Sequence, residues 1–170
     1  MTMKSIPLRI IFFDLGDTLV RKISASTSGV RFGWVPGAKN LLERLRRADL
    51  SLGLISNTGD LKRTQLIRML PPDFSFNFFE ANLVLLSSEV EWEKPDPRIF
   101  RLAVNRAQNH INPDFKMQID PQECLFVGES LKEVLVAQQI GMVGARVRET
   151  PQPDIRGLDD VLRKCGLLSQ

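Results

Sequence analysis

The sequence has little of the residues that build metal–thiolate sites. Its 170 residues include one histidine, His110, and two cysteines, Cys124 and Cys165, which do not form a CxxC motif. These counts exclude a zinc site of the Cys/His type. Cys124 opens the apolar run 124–127 and is expected to pack in the core. Free thiols fit a reducing compartment, and we expect a cytoplasmic protein.

Long apolar runs and strong charge are also missing. No stretch approaches 18 consecutive apolar residues, so we expect no membrane span, and residues 1–7 lack the apolar region of a signal peptide. The net charge is only +3 and the basic residues are dispersed, which argues against a nucleic-acid partner. With 43% hydrophobic and 25% charged residues and no repeat or linker, residues 1–170 are predicted to form one globular domain.

A short apolar run near the N-terminus organises the remaining chain. Residues 10–13 are apolar at every position, without polar alternation. This pattern predicts a strand buried on both faces, as in the middle of a parallel sheet. Asp14 follows directly, at the carboxyl end of the strand, where open α/β sheets bind ligands. Gly16 permits a tight turn, which the side chains of Asp17 and Thr18 are expected to cap.

Strands and helices are predicted to alternate after this segment. Residues 21–35 are rich in Ser, Thr and Gly and are predicted to be a mobile connection. Strands are expected at 50–55, 81–86, 124–127 and 142–147. Helices are expected after Pro36-Gly37, at 61–70 and at 158–164. A further helix is expected to start at Pro97, with Asp96 as its N-cap, and another is expected to follow Ser130 and to end at Ile140. The alternation predicts a three-layer α/β/α domain with a mainly parallel sheet.

Polar residues follow the ends of the predicted strands or open the next helix, and they are expected to meet at one sheet edge: Asp14, Ser56, Asn57, Lys94, Glu129 and Glu133. Asp14 is a candidate nucleophile that would form an acyl phosphate. Ser56 is a candidate phosphate contact, and Lys94 would offset the charge of Asp14 and of the phosphate. Glu129 would join Asp14 in holding Mg²⁺, which prefers oxygen ligands.

Most of these residues also have a structural interpretation. Asp14 can be only a turn former after a strand. Lys94 can be a solvated loop lysine, and Ser56 can be a turn serine. Glu129 and Glu133 can act as favourable charges at a helix N-terminus. The residues alone leave these alternatives open.

Four segments together resemble the motifs of the haloacid dehalogenase (HAD) superfamily, in the family's order, between about residue 9 and residue 147. They are 13–19 (FDLGDTL), 54–57 (LISN), 94–100 (KPDPRIF) and 125–133 (LFVGESLKE), the last continuing to Gly141-Met142. The resemblance implies a Rossmann-like fold and, in most members, phosphatase activity through a phospho-aspartyl intermediate. It places the nucleophile at Asp14, the bridging lysine at Lys94 and the phosphate contact at Ser56, with Asn57 beside it.

The same resemblance implies a magnesium site. Its ligands would be Asp14, the backbone carbonyl of Gly16, and Glu129, with Glu133 as a further acid near the metal. Glu129 stands where the family more often has Asp, which keeps the ligand chemistry. No other cofactor is implied.

A second departure from the family pattern concerns proton transfer. Family phosphatases usually carry an acid/base Asp two residues after the nucleophile, and here that position is Gly16. Losing general acid–base help costs about 10²–10⁴-fold in rate, so slow turnover is expected. Asp17, one residue later, is either a substitute acid or a turn residue.

We therefore expect a magnesium-dependent phosphoric-monoester hydrolase without a cap domain. About forty residues separate Asp14 from Ser56, which leaves no room for a cap. An uncovered site suggests a bulky or macromolecular phosphorylated substrate, or a site that another subunit closes. One alternative is a HAD-fold protein that binds a partner or a phosphorylated ligand without efficient catalysis. Another is a dehalogenase, which would need a cap to bury a small haloacid.

Overall fold

The structure, a computed structural model, describes residues 7–27, 29–48, 50–114, 118–147 and 162–163. Cys165 and most of the helix expected at 158–164 lie outside the described residues. Residues 162 and 163 are helical. In the described part of the chain, no helix is both long and apolar enough to cross a membrane.

Five parallel strands form the central sheet, in the order β5-β4-β1-β6-β7. An antiparallel pair, β2 and β3, forms a separate hairpin. The strands are β1 (Ile10–Phe13), β2 (Val20–Ser26), β3 (Gly29–Trp34), β4 (Ser51–Ser56), β5 (Val84–Leu86), β6 (Cys124–Gly128) and β7 (Val143–Arg146). The helices are α1 (Ala38–Arg47), α2 (Arg63–Leu66), α3 (Pro97–Ile111) and α4 (Leu131–Gln139).

Strand β1 lies at the centre because both of its faces are apolar. Ile11 and Phe13 pack in the core cluster that contains the buried side of α1. Ile10 and Phe12 pack on the opposite face, in the cluster that contains the buried sides of α3 and α4. All four side chains are fully buried. The predicted three-layer α/β/α fold with a mainly parallel sheet is confirmed.

Helix α3 begins as the sequence predicts. The side chain of Asp96 accepts a hydrogen bond of 2.9 Å from the Arg98 backbone N–H, and Pro97 is the first helical residue. An N-cap and an N-terminal proline both favour a helix start. The helix therefore starts three residues after Lys94, and its N-cap, Asp96, marks the end of the loop that carries the lysine.

The predicted mobile connection at 21–35 is wrong, because this segment forms most of the β2–β3 hairpin. Gly29, with φ of 119°, opens β3 directly after the turn, and a register shift lies between Lys22 and Ser24. Most side chains of β2 are exposed, so the strand lacks the apolar alternation that identifies a half-buried strand. Between β1 and α1 the described residues form a turn and this hairpin.

Two other elements are shorter than predicted. The helix expected at 61–70 is α-helical only over Arg63–Leu66, and a 3₁₀ turn occupies Ala81–Leu83 before β5. After α2 the backbone closes by i to i−3 bonds, from Arg68 to Gln65 and from Met69 to Leu66. The Met69 carbonyl accepts a hydrogen bond from the Phe32 N–H of the hairpin. This hydrogen bond ties the segment after α2 to strand β3.

Candidate active site

The site lies where the carboxyl ends of β1, β4 and β6 meet. Asp14 follows β1, and its backbone N–H donates to the carbonyl of Val127 in β6 at 2.8 Å. Ser56 is the buried last residue of β4 on the other side of β1, and Glu129 follows the last residue of β6. The parallel topology therefore brings together at one sheet edge residues that are far apart in the chain.

Lys94 is the centre of a buried ion cluster. Its Nζ lies 2.5 Å from Asp14 Oδ1 and 2.8 Å from Glu133 Oε2, and its side chain is 1% exposed. The ring of Phe126 lies below it, with the centroid 5.5 Å from Nζ. Such burial is costly for a lysine unless its charge is matched, and two carboxylates match it here. The interpretation of Lys94 as a solvated loop lysine is wrong.

The pKa of the Asp14 carboxyl is raised above its ordinary value. Burial is the main cause, and the charge of Glu133 acts in the same direction. Lys94, through its charge and its hydrogen bond, lowers the pKa but does not cancel the effect of burial. A second hydrogen bond, 2.7 Å from the Leu15 N–H, also reaches Oδ1 and orients the group. A buried carboxyl with a perturbed pKa and a specific charged partner is typical of functional sites.

Glu133 lies against the lysine. It is in the first turn of α4, where its backbone N–H donates to the Ser130 side chain at 3.4 Å. Its Oε2 is buried and, although 2.8 Å from Lys94 Nζ, has no aligned hydrogen bond with any residue that the structure describes. The arrangement makes Glu133 a charge partner of Lys94.

Asn57 has a role that the sequence does not reveal. Its Nδ2 donates to the Lys94 carbonyl at 2.7 Å, and its Oδ1 accepts from the Lys94 N–H at 2.8 Å. Both polar atoms of the Asn57 side-chain amide are therefore hydrogen-bonded to the backbone of Lys94. The sequence predicts that Asn57 contacts substrate, and this stays a prediction; the structure shows its amide holding the backbone of Lys94.

The turn after Asp14 is closed by the backbone. Asp17 N–H donates to the Val20 carbonyl at 2.7 Å, and Val20 N–H donates to the Leu15 carbonyl at 3.0 Å. Asp17 has a left-handed backbone (φ 53°), which Asp tolerates better than most residues. The expected side-chain caps are wrong. Within the described ranges the exposed Asp17 carboxylate makes no hydrogen bond, and the buried Thr18 Oγ1 is without a partner.

The oxygen donors at this edge fit a magnesium ion. Gly16 is exposed, and its carbonyl accepts no hydrogen bond from the residues that the structure describes, so its oxygen can serve as a ligand. Asp14 and Glu129 supply carboxylates. In the same described residues, no three His, Cys, Asp or Glu side chains form a metal cluster. Mg²⁺ is commonly held by only one or two carboxylates and keeps several waters, so this donor set suits it.

The chain is similar in sequence to known phosphatases. A glyceraldehyde 3-phosphate phosphatase of Pyrococcus abyssi is 33% identical over 109 residues, which are 64% of this chain and 40% of that protein. A phosphoserine phosphatase of Thermus thermophilus is 32% identical over 127 residues, 73% of this chain and 44% of that protein. The chain thus spans about two fifths of the length of these two curated relatives.

A solved structure shares the fold. A HAD family enzyme of Bacteroides thetaiotaomicron, in complex with magnesium and inorganic phosphate, superposes with a TM-score of 0.63 at 19% identity. The match covers 83% of this chain and 94% of that chain. The model of the haloacid dehalogenase-like hydrolase family matches residues 35–141. The chain therefore belongs to the haloacid dehalogenase-like hydrolase family.

Proposed function

We propose that this protein is a magnesium-dependent phosphoric-monoester hydrolase that acts through an aspartyl phosphate on Asp14. The observation that supports this best is the buried contact of 2.5 Å between Asp14 Oδ1 and Lys94 Nζ at the end of the central strand. It supplies an oriented nucleophile and a fixed positive charge at the place where an anionic phosphate would bind.

In this proposal the reaction has two steps. A carboxylate oxygen of Asp14 attacks phosphorus, and the ester oxygen leaves with the bonding electron pair. Lys94 offsets the negative charge of the phosphoryl oxygens, and Ser56, at the end of β4, hydrogen-bonds one of them. Water then attacks phosphorus and releases phosphate and the Asp14 carboxylate.

A magnesium ion would be held by Asp14, the Gly16 carbonyl and Glu129. When bound, it would neutralise charge on the phosphoryl oxygens during both steps. The oxygen-only donor set supports this choice. The magnesium complex of the Bacteroides thetaiotaomicron enzyme is consistent with it.

The names of the curated relatives support a small phosphorylated substrate. Both are named for small molecules, glyceraldehyde 3-phosphate and phosphoserine. The bulky or macromolecular substrate expected from the uncovered site has no support from these names. We therefore propose a small phosphate monoester as the substrate class.

The test is phosphate release from a panel of aryl and alkyl phosphate monoesters, with Mg²⁺ or with chelator. Hydrolysis should require the metal, and adding excess Mg²⁺ to the chelated protein should restore it. If no monoester is turned over with Mg²⁺ present while inorganic phosphate still binds by calorimetry, the second candidate function applies. This is a phosphate-binding protein without efficient catalysis, which glycine at position 16 favours.

We also expect Asn57→Ala to slow the reaction. It removes the two hydrogen bonds that hold the Lys94 backbone, and misplacing a catalytic group by about 1 Å costs about a hundredfold in rate. The loss should be in kcat more than in KM, because the lysine is displaced and not removed. The matched control is Asn82→Ala, on an exposed residue outside the site. An unchanged kcat in a folded Asn57→Ala protein would show that the amide does not position Lys94.

A further inference from the structure

An apolar cavity lies beside Leu15 and Gly16, the two residues that follow Asp14. It has a volume of about 150 Å³ and reaches from Gly16 and Ser56 to a wall formed by the hairpin and by residues 61–70. Its apolar lining includes Phe32, Leu61 and Met69. A cavity of about 150 Å³ lined by such side chains can hold one benzene ring.

The position of the cavity matches that of an ester substituent. One end is formed by Ser56, the candidate phosphate contact, and by Gly16, two residues after Asp14. A phosphate hydrogen-bonded by Ser56 would therefore have the cavity beside it. A ring joined directly to the ester oxygen could occupy it.

The cavity contains no group suited to donating a proton. Of its eleven lining residues, all in the described part of the chain, none carries a carboxylate, imidazole, ammonium, thiol or phenol. The Thr58 hydroxyl donates to Ser88 Oγ at 3.0 Å, and the Asn57 amide is bonded to Lys94. A leaving oxygen in this cavity would have to depart without a proton from its walls.

The charged groups nearby do not replace such a donor. The Lys94 ammonium lies between Asp14 and Glu133, and giving up its proton would leave two buried carboxylates facing each other. Asp17 is exposed and is not among the residues lining the cavity. The site therefore favours a leaving group that is stable as an anion.

The apolar cavity and the lack of a proton donor in it together indicate a substrate class. We propose that the substrate is the phosphate monoester of a small phenol, with its ring in the cavity beside Gly16. The inference rests on the proposed hydrolase function. A phenol, like tyrosine, has a pKa of about 10, whereas water, at about 15.7, approximates the basicity of alcohol leaving groups. A phenolate therefore needs far less help from a general acid.

The chemistry balances without an added reactant. The Asp14 oxygen bonds to phosphorus as the phosphorus–oxygen bond to the ring breaks, and the phenolate takes its proton from water after release. In the second step water attacks phosphorus, the Asp14 carboxylate leaves, and the proton of the water goes to solvent. Because glycine at position 16 offers no base for that water, the second step should be the slower one.

The first experiment compares phenyl phosphate with benzyl phosphate, whose leaving group is an alkyl alcohol of similar shape. With wild-type protein and Mg²⁺, kcat/KM should be at least about 10²-fold higher for phenyl phosphate, which is the low end of the contribution of a general acid. Rapid mixing should show a burst of phenol, one equivalent per protein, before the steady state. Comparable rates for the two esters would overturn the inference and keep the hydrolase. No phosphate release from either ester, nor from other activated or alkyl phosphates, would overturn the proposed function itself.

The second experiment tests the cavity. Leu61→Trp should fill it, and Met69→Gln should make it polar with little change in volume. Each variant should raise KM for phenyl phosphate about tenfold more than for acetyl phosphate, a small activated donor without a ring. Ile23→Ser, on a 62% exposed residue of the same hairpin, is the matched control. Equal changes in KM for both substrates in the folded cavity variants would show that the ring does not bind there.

Discussion

Asp14→Asn should reduce phosphate release to background for every phosphate monoester, a loss of about 10⁴-fold or more. The amide has almost the size of the carboxylate, but it is not nucleophilic and it loses the charge that pairs with Lys94. The matched control is Asp17→Asn, which makes the same chemical change on an exposed side chain three residues away. Hydrolysis should persist in the control. Metal-dependent turnover by purified Asp14→Asn protein would contradict the assignment of the nucleophile.

The same substitution should stabilise the fold at neutral pH in the presence of chelator. The pKa of Asp14 is raised in the folded state, mainly by burial, so the folded protein binds this proton more tightly than the unfolded chain does. Protonation therefore favours the folded state, and this contribution is lost as pH rises through the raised pKa. Asn stays uncharged at every pH, and relative to wild type its melting temperature should be higher at pH 7. The difference should shrink as pH falls below the ordinary pKa of Asp.

A lower melting temperature for Asp14→Asn at pH 7 would show that the ion pair with Lys94 outweighs the burial of Asp14. Thermal scans of the wild type and of both Asn variants between acid and neutral pH provide the measurement. The Asp17→Asn protein should follow the wild type, because its carboxylate is exposed. The comparison therefore separates burial of the nucleophile from a general effect of removing one negative charge.

Gly16→Asp should raise kcat for alkyl phosphates such as benzyl phosphate by about 10²–10⁴-fold. The new carboxyl group would supply the proton donor and base that the cavity lacks. The backbone accepts a side chain here, because φ of Gly16 is not in the left-handed region and a Cβ would have no other atom within 4 Å. The gain should be smaller for the first step with phenyl phosphate, whose leaving group needs little protonation, and the burst of phenol should disappear as the second step accelerates.

Gly16→Ala is the control for Gly16→Asp, because it adds the Cβ without the acid. Its rates should stay close to those of the wild type. Steady-state kinetics with benzyl phosphate and rapid mixing with phenyl phosphate measure both effects. If a folded Gly16→Asp protein shows no more activity than Gly16→Ala, the lack of an acid at this position does not limit the rate.

Much of the fold and the edge of the site could be predicted because the relevant signals are local. Residues 10–13 are apolar without alternation because both faces of β1 are covered, and this can be read from four neighbouring residues. Asp96 and Pro97 start α3 through bonds within one turn. Once the strands were placed, parallel topology alone brought Asp14, Ser56 and Glu129 to the same edge.

The parts that were mispredicted depend on contacts between distant segments. The first strand of the hairpin is mostly exposed and has no apolar period, and the segment after α2 is held to the hairpin by the hydrogen bond from the Phe32 N–H to the Met69 carbonyl. Thr18 sits in a turn that backbone hydrogen bonds close, so its hydroxyl does not cap it.

The sequence by itself determined the alternation of strands and helices, the order of the polar strand ends and the absence of an acid at Gly16, since these depend on residue type and spacing. Only the tertiary structure decided that Lys94 is buried between Asp14 and Glu133, that Asn57 holds its backbone, and that an apolar cavity lies beside the site. The physical reason is that burial and hydrogen bonding are properties of pairs of segments. Asn57 and Lys94 are 37 positions apart in the chain, and their hydrogen bond of 2.8 Å cannot be read from the sequence.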